Sequence, residues 1–238
     1  MLGAMSLVAG LFDRSGRAAH RCARLWARLI LLVSGTSVEV RGTLPQAGTY
    51  VFVSNHQSLF DIPILFRSIP RELRVIAKDS LGSVPFLGWH LRRNGHLLVD
   101  RRKPGAGILK RMRRLVAEHA SLIAFPEGTR SYDGRLGRFK RGVFLLAIEH
   151  GLPIVPVTLD GSRHVMTRGR LTVRPGRVIL TIHEPVPTSA LARDDARALA
   201  GRVRAIVESG LATMTSTPAS DPSSPRAVPA ADTRARPR

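Results

Sequence analysis

Two short blocks carry the residue types in this sequence that can do chemistry together: Asn55-His56-Gln57-Ser58-Leu59-Phe60-Asp61 and Phe125-Pro126-Glu127-Gly128-Thr129-Arg130-Ser131. In the first, an imidazole precedes a carboxylate by five residues. On a continuous helix, five steps of about 100° would set the two side chains roughly 140° apart. They meet only if His56 lies in the loop leaving a strand and Asp61 in the first turns of the next helix. The carboxylate then fixes one ring nitrogen and stabilises the imidazolium, leaving the other nitrogen free as a base. No enzyme nucleophile is demanded, so a hydroxyl of the substrate would attack directly. Ser58 is the one nucleophile available inside the block, but it lacks the Gly-x-Ser-x-Gly elbow of a serine hydrolase. The structural alternative makes Asn55 and Ser58 helix caps and His56 an ordinary loop histidine.

The second block follows the apolar run Ser121–Phe125, which Pro126 ends. Gly128 permits a positive φ or a close backbone approach, and Arg130 supplies a planar fork suited to phosphate. Glu127 and Thr129 either orient that arginine or meet a polar head group; the alternative is a solvated turn with a Glu127–Arg130 ion pair. Between the blocks, Lys78 at a strand end offers a second cation. Pro85, Phe86, Gly88 and Trp89 form a turn-rich apolar stretch, read either as the wall of an acyl channel or as a packed loop.

These side chains need a scaffold, and the pattern supplies one. Strands are expected at Thr49–Ser54, Leu73–Lys78, His96–Asp100, Ser121–Phe125, Pro153–Leu159, Leu171–Arg174 and Val178–His183. Helices are expected at Ser58–Phe66, around Ile108–Val116, at Gly142–His150 and at Ser189–Leu211. Such alternation implies a single α/β domain with a mostly parallel central sheet flanked by helices. Ligands of such sheets bind beyond the carboxyl ends of the strands, which is where both blocks fall.

The N-terminal segment, 1–36, reads as an amphipathic helical region. Arg14, Arg17, Arg21, Arg24 and Arg28 form one basic stripe. Leu7, Val8, Leu11, Cys22, Leu25, Trp26, Leu29, Ile30 and Val33 form an apolar face beside it. Arginine stems beside a tryptophan-bearing face suit a membrane interface; an ordinary packed helix is the alternative. The domain proper spans 37–213, and the Pro/Ser/Ala/Arg-rich tail, 214–238, is expected to be disordered.

The 37 Lys and Arg against 17 acidic residues give a net charge of +20. That field draws anionic partners but does not choose among nucleic acid, anionic lipid and phosphorylated substrate. The basic residues are spread along the chain without a nucleic-acid motif, so no nucleic acid is expected. The lone Cys22 excludes an intrachain disulfide. The best apolar run, Leu29–Val33, is far below the roughly 20 residues of a membrane span. No basic residue precedes the apolar centre of Met1–Phe12, which argues against a cleaved signal peptide. The expected location is cytoplasmic, on a membrane surface.

In combination and in order, these elements resemble the 1-acylglycerol-3-phosphate acyltransferase family. The matching residues are Asn55-His56 with Asp61, Lys78 with Val84-Pro85-Phe86 and Gly88, and Gly95 through Asp100-Arg101. They continue with Phe125 through Ser131, Phe139-Lys140-Arg141-Gly142 and Pro153-Ile154-Val155-Pro156-Val157, covering roughly residues 40 to 185. The resemblance implies that His56 is the base and Asp61 its orienting acid. The substrate contacts would be Lys78, Arg101, Glu127, Gly128, Thr129 and Arg130. It implies a lyso-phospholipid acceptor, acyl-CoA or acyl-carrier protein as co-substrate, an anionic membrane surface as partner, and neither metal nor other cofactor. The Asp79-Ser80 pair after Lys78 departs from the longer or more apolar pair usual in relatives. The family also acylates other lyso-lipids such as lyso-ornithine lipid. A non-catalytic basic membrane- or nucleic-acid-binding protein is the remaining alternative.

Overall fold

The computed structural model describes residues 17–84, 87–99, 107–170 and 172–215. Met1–Phe12, Arg14, Pro85, Phe86, Arg101 and the tail from residue 216 lie outside the described residues, as does Leu171. The described chain folds as α1 (Arg17–Val33), β1 (Thr36–Arg41), β2 (Val51–Ser54), α2 (Asp61–Ser68), β3 (Leu73–Lys78), α3 (Leu87–Arg93) and β4 (Leu97–Val99). It continues with α4 (Gly107–Ala117), β5 (Ser121–Ala124), α5 (Gly142–Glu149), β6 (Ile154–Asp160), α6 (Ser162–Val165), β7 (Gly176–Ile182) and α7 (Ala196–Thr215).

The strands form one sheet in the order β1-β7-β6-β2-β5-β3-β4. From β6 to β4 all neighbours are parallel; β7 runs against β6, and β1 lies parallel to β7 at the edge. The expected α/β domain with a mostly parallel sheet is therefore what the chain adopts. The central strands β2 and β5 are buried at every position, as strands covered on both faces must be. Alternation divides their side chains between two cores. Phe52, Ile123, Val155 and Val157 face α1 and α2 through Ala27, Leu31, Ile64 and Leu65. Val51, Val53, Leu122, Ala124 and Ile154 face α4, α5 and α7 through Met112, Leu115, Phe144, Val203 and Val207.

Four local expectations change. Residues 172–174 form no strand; Val173 is exposed and Arg174 N–H is tied to the Val165 carbonyl, making this a connection into β7. The last helix starts at Ala196 instead of Ser189, because Thr188 donates to the Leu152 carbonyl and a short 3₁₀ turn at Arg193–Asp195 intervenes. It also runs on to Thr215, two residues into the stretch assigned to the tail. The stretch containing Gly88 and Trp89 is helical: the Gly88 N–H donates to the Val84 carbonyl at 2.7 Å and α3 follows.

Helix α1 meets the domain through one narrow face. Ala19, His20, Ala27 and Leu31 are buried, whereas Leu25, Trp26, Leu29, Leu32 and Val33 are exposed. The bulky apolar face read from the sequence is thus largely left to the outside. Arg21 and Arg28 are exposed beside it. No helix among the described residues is long and apolar enough to cross a membrane.

His20 makes this docking sensitive to acid. Its ring lies 5.4 Å from that of Phe66, and burial, then the Arg74 and Arg24 charges, lower its pKa to about 4 from 6.5. The unfolded chain therefore binds more protons between these values, and stability present above pH 6.5 is lost as pH falls toward 4. The contribution amounts to about 2 kcal/mol between pH 7 and pH 5. Urea midpoints of wild type and His20→Leu, compared at the two pH values, should show that much less acid sensitivity in the variant. Equal sensitivity would assign the acid response to other groups.

Candidate active site

Chain geometry places both blocks at the carboxyl ends of adjacent strands. Asn55 leaves β2 with its side chain buried: its amide donates to the Leu159 carbonyl at 2.7 Å and accepts from the Leu159 N–H at 2.8 Å. It thereby acts as one more backbone unit between β2 and β6 and aims the loop, a role different from the helix cap considered above. His56 follows, then Gln57 to Phe60, and Asp61 opens α2.

The spacing works as the sequence required. Asp61 Oδ2 lies 2.7 Å from His56 Nδ1 and also accepts from the Gln57 and Ser58 N–H groups at 2.7 and 2.9 Å. An ionised carboxylate only accepts, so Nδ1 carries the ring proton and Nε2 keeps its lone pair. Asp61 is fully buried, whereas the His56 side chain retains 15% exposure. The imidazole lies flat on Phe125, with centroids 4.1 Å apart and planes 20° apart. Carboxylate and ring together fix its orientation. Ser58 is fully buried and donates to the Met166 carbonyl at 2.8 Å, accepting in turn from the Phe60 N–H. That is a structural hydroxyl.

The second block grips the backbone of His56 from both sides. Glu127 Oε1 accepts the His56 N–H at 2.8 Å, and Oε2 accepts the Gly137 N–H at 2.9 Å. The Ser131 N–H donates to the His56 carbonyl at 2.8 Å. Glu127 is buried, and burial raises its pKa against the opposing backbone N–H groups. It therefore holds the histidine loop; its two oxygens are spent on backbone and not on the ion pair with Arg130. The chain turns at Gly128 (φ 79°). Thr129 is exposed and Arg130 half-buried, at the mouth of the turn.

Lys78 ends β3, exposed. The register through β5 sets it level with Asn55 and two strands away, about 10 Å to the side. It borders the site without joining the His–Asp pair. Arg101 lies outside the described residues. Sequence reasoning missed Arg168: it donates to the Arg130 carbonyl and lies 3.8 Å over the Tyr132 ring. Arg163 likewise donates to the Asp133 carbonyl. Only their positions, Arg163 within α6 and Arg168 in the turn after it, could have drawn notice. Among the described residues, no group of three or more His, Cys, Asp or Glu side chains could hold a metal ion.

A buried carboxylate, an imidazole with its outer nitrogen available and an arginine turn stand together at the carboxyl edge of a parallel sheet, where ligands of such sheets bind. Residues 37–160, from β1 to the end of β6, match the family model described as Acyltransferase, and the chain belongs to that family. It is 40% identical over 182 residues to the chloroplastic 1-acyl-sn-glycerol-3-phosphate acyltransferase BAT2 of Brassica napus, covering 74% of this chain and 53% of that protein. The 1-acyl-sn-glycerol-3-phosphate acyltransferase of Saccharomyces cerevisiae is 34% identical over 205 residues, covering 84% and 68%. The chain spans about half the length of the plant and algal relatives it matches. The solved 1-acyl-sn-glycerophosphate (LPA) acyltransferase PlsC of Thermotoga maritima superposes with a TM-score of 0.72 at 28% identity, over 90% of this chain and 89% of that one.

Proposed function

We propose that this chain transfers a fatty acyl group from acyl-CoA or acyl-carrier protein to the free hydroxyl of lysophosphatidate, forming phosphatidate. The observation carrying this reading is the 2.7 Å His56–Asp61 contact, which leaves Nε2 as an acceptor beside the Arg130 turn. The names of the relatives at 34–40% identity support the acceptor. His56 Nε2 takes the hydroxyl proton as the oxygen attacks the thioester carbonyl carbon. Asp61 stabilises the imidazolium. Collapse of the tetrahedral intermediate breaks the C–S bond, and the thiolate leaves with the proton returned from His56. The reaction as written needs neither metal nor further cofactor. Arg130 binds the acceptor phosphate, with the Gly128–Thr129 turn shaping the approach and Lys78 adding charge from the side. Glu127 serves this step by holding the loop.

Arg130→Ala should raise the lysophosphatidate KM by about tenfold or more, an interaction worth roughly 1.5–3 kcal/mol, with a smaller change in kcat. Labelled acyl-CoA with lysophosphatidate, lyso-ornithine lipid and lysophosphatidylcholine as competing acceptors on vesicles tests the substrate. Preferential labelling of lysophosphatidate, lost in Arg130→Ala, is the expected outcome; preference for the acceptor without a phosphomonoester would move the substrate elsewhere.

The enzyme works at the cytoplasmic face of a membrane, bound peripherally. Exposed Trp26, Leu29, Leu32 and Val33, beside Arg21 and Arg28, suit insertion into an anionic interface. Trp26→Ser combined with Leu29→Ser should reduce flotation with phosphatidylglycerol vesicles. Unchanged flotation would remove α1 from that role.

A further inference from the structure

The peptide between Arg130 and Ser131 joins the arginine turn to the histidine loop, and it is held at both ends. Its N–H donates to the His56 carbonyl at 2.8 Å. Its C=O accepts from the Arg168 guanidinium, which reaches in from the turn after α6. A trans peptide directs N–H and C=O to opposite sides, so Arg168 acts from the side away from His56. The same guanidinium lies 3.8 Å over the Tyr132 ring, one residue beyond that peptide.

The segment carrying Arg168 is itself anchored to the histidine loop. The Met166 carbonyl accepts the Ser58 hydroxyl at 2.8 Å, and Val165 and Met166 are buried. From α6, Arg163 donates to the Asp133 carbonyl and passes over Gly134, where a Cβ would collide with it. Farther along, Arg204 of α7 donates to the Leu136 and Gly137 carbonyls at 3.1 and 3.2 Å. These arginines fix segment 130–137 by its carbonyls, and Arg168 is the one that reaches its Arg130 end. Pinning the Arg130–Ser131 peptide sets ψ of Arg130, and with it the direction in which the Arg130 side chain leaves the turn.

We infer that Arg168 is a positioning residue for the acceptor, acting through Arg130 and not on the acceptor itself. The inference rests on the assignment of the acceptor phosphate to Arg130. Without the tie, the turn samples other conformations. If it keeps the binding conformation about one fifth of the time, apparent acceptor affinity falls about fivefold. Arg204 still fixes the far end and Glu127 still holds the His56 N–H, so proton transfer at Nε2 continues.

Kinetics on lysophosphatidate vesicles with R168A, R168K, R130A and R130A/R168A test it, with R170A as the control for charge. Arg170 is exposed, two residues along the same turn. R168A should raise the lysophosphatidate KM about fivefold, with kcat within about twofold and the acyl-CoA KM unchanged. R168K should recover part of the loss, since an ammonium can donate to the carbonyl but lacks the plane that covers Tyr132. R170A should match wild type. In the R130A background R168A should add nothing, because a positioning residue has no effect without the group it positions. Hydrogen exchange at the Ser131 amide, followed by mass spectrometry, should quicken in R168A and not in R170A; a thermal melt checks folding. An unchanged KM in R168A, an equal rise in R170A, or a further rise in the R130A background would each overturn the inference. A wild type that leaves lysophosphatidate unlabelled would fail the acceptor reading alone. Exchange at Ser131 then decides the clamp, and an unchanged rate in R168A would overturn it.

Discussion

His56→Ala should lower kcat for acyl transfer by about 10³-fold, the scale of a positioned general base, with little change in stability. The ring makes its polar contact with Asp61 and its apolar contact with Phe125. The backbone bonds that hold the loop, to Glu127 and from Ser131, do not involve the side chain. Removing the imidazole therefore deletes the base and leaves the loop in place. The acceptor KM should move little, because Arg130 and its turn are untouched. Turnover within a few-fold of wild type would mean that another group takes the proton.

Asp61 should behave differently, and its two replacements separate chemistry from folding. One oxygen serves His56 and two backbone N–H groups within a fully buried pocket. Asp61→Ala strands the Gln57 and Ser58 donors, each costing about 1–3 kcal/mol. A loss of roughly 2–5 kcal/mol in urea unfolding is expected, together with severe loss of turnover. Asp61→Asn retains an oxygen of similar reach and should keep most of that stability. It cannot offer a negative charge to the imidazolium, so kcat should still fall by about 10²-fold or more. An asparagine variant that is both stable and nearly fully active would reduce Asp61 to a loop staple.

The sequence made the His56–Asp61 contact legible because a five-residue spacing across a strand-to-helix junction admits few geometries. The central strands were legible for a related reason: Val51–Ser54 and Ser121–Ala124 are too short and too apolar to be anything but buried strand. Glu127 was not legible in the same way. Its partners are backbone N–H groups of His56 and Gly137, 71 and 10 residues distant, and a backbone donor leaves no trace in side-chain pattern. The same holds for Asn55, which bonds the backbone of Leu159 across 104 residues.

Helix α1 illustrates a limit of periodicity. The wheel finds the face with the most apolar side chains, whereas the core shared with α2 takes only Ala27 and Leu31 from the buried face of α1. Helix α3 covers seven residues, fewer than a periodic signal needs. Strand β1 alternates in Val38, Glu39, Val40 and Arg41 but sits at the sheet edge beside β7, half-exposed and without the apolar run that marked the inner strands.

The central claim is that the acceptor hydroxyl itself attacks the thioester, with His56 as base and no acyl-enzyme between. Rapid quench with radiolabelled acyl-CoA, first without acceptor and then with lysophosphatidate added, tests it most directly. The account predicts no protein-bound label before the acceptor arrives and immediate labelling of phosphatidate afterwards. Label that accumulates on the protein without acceptor and chases into phosphatidate would contradict it.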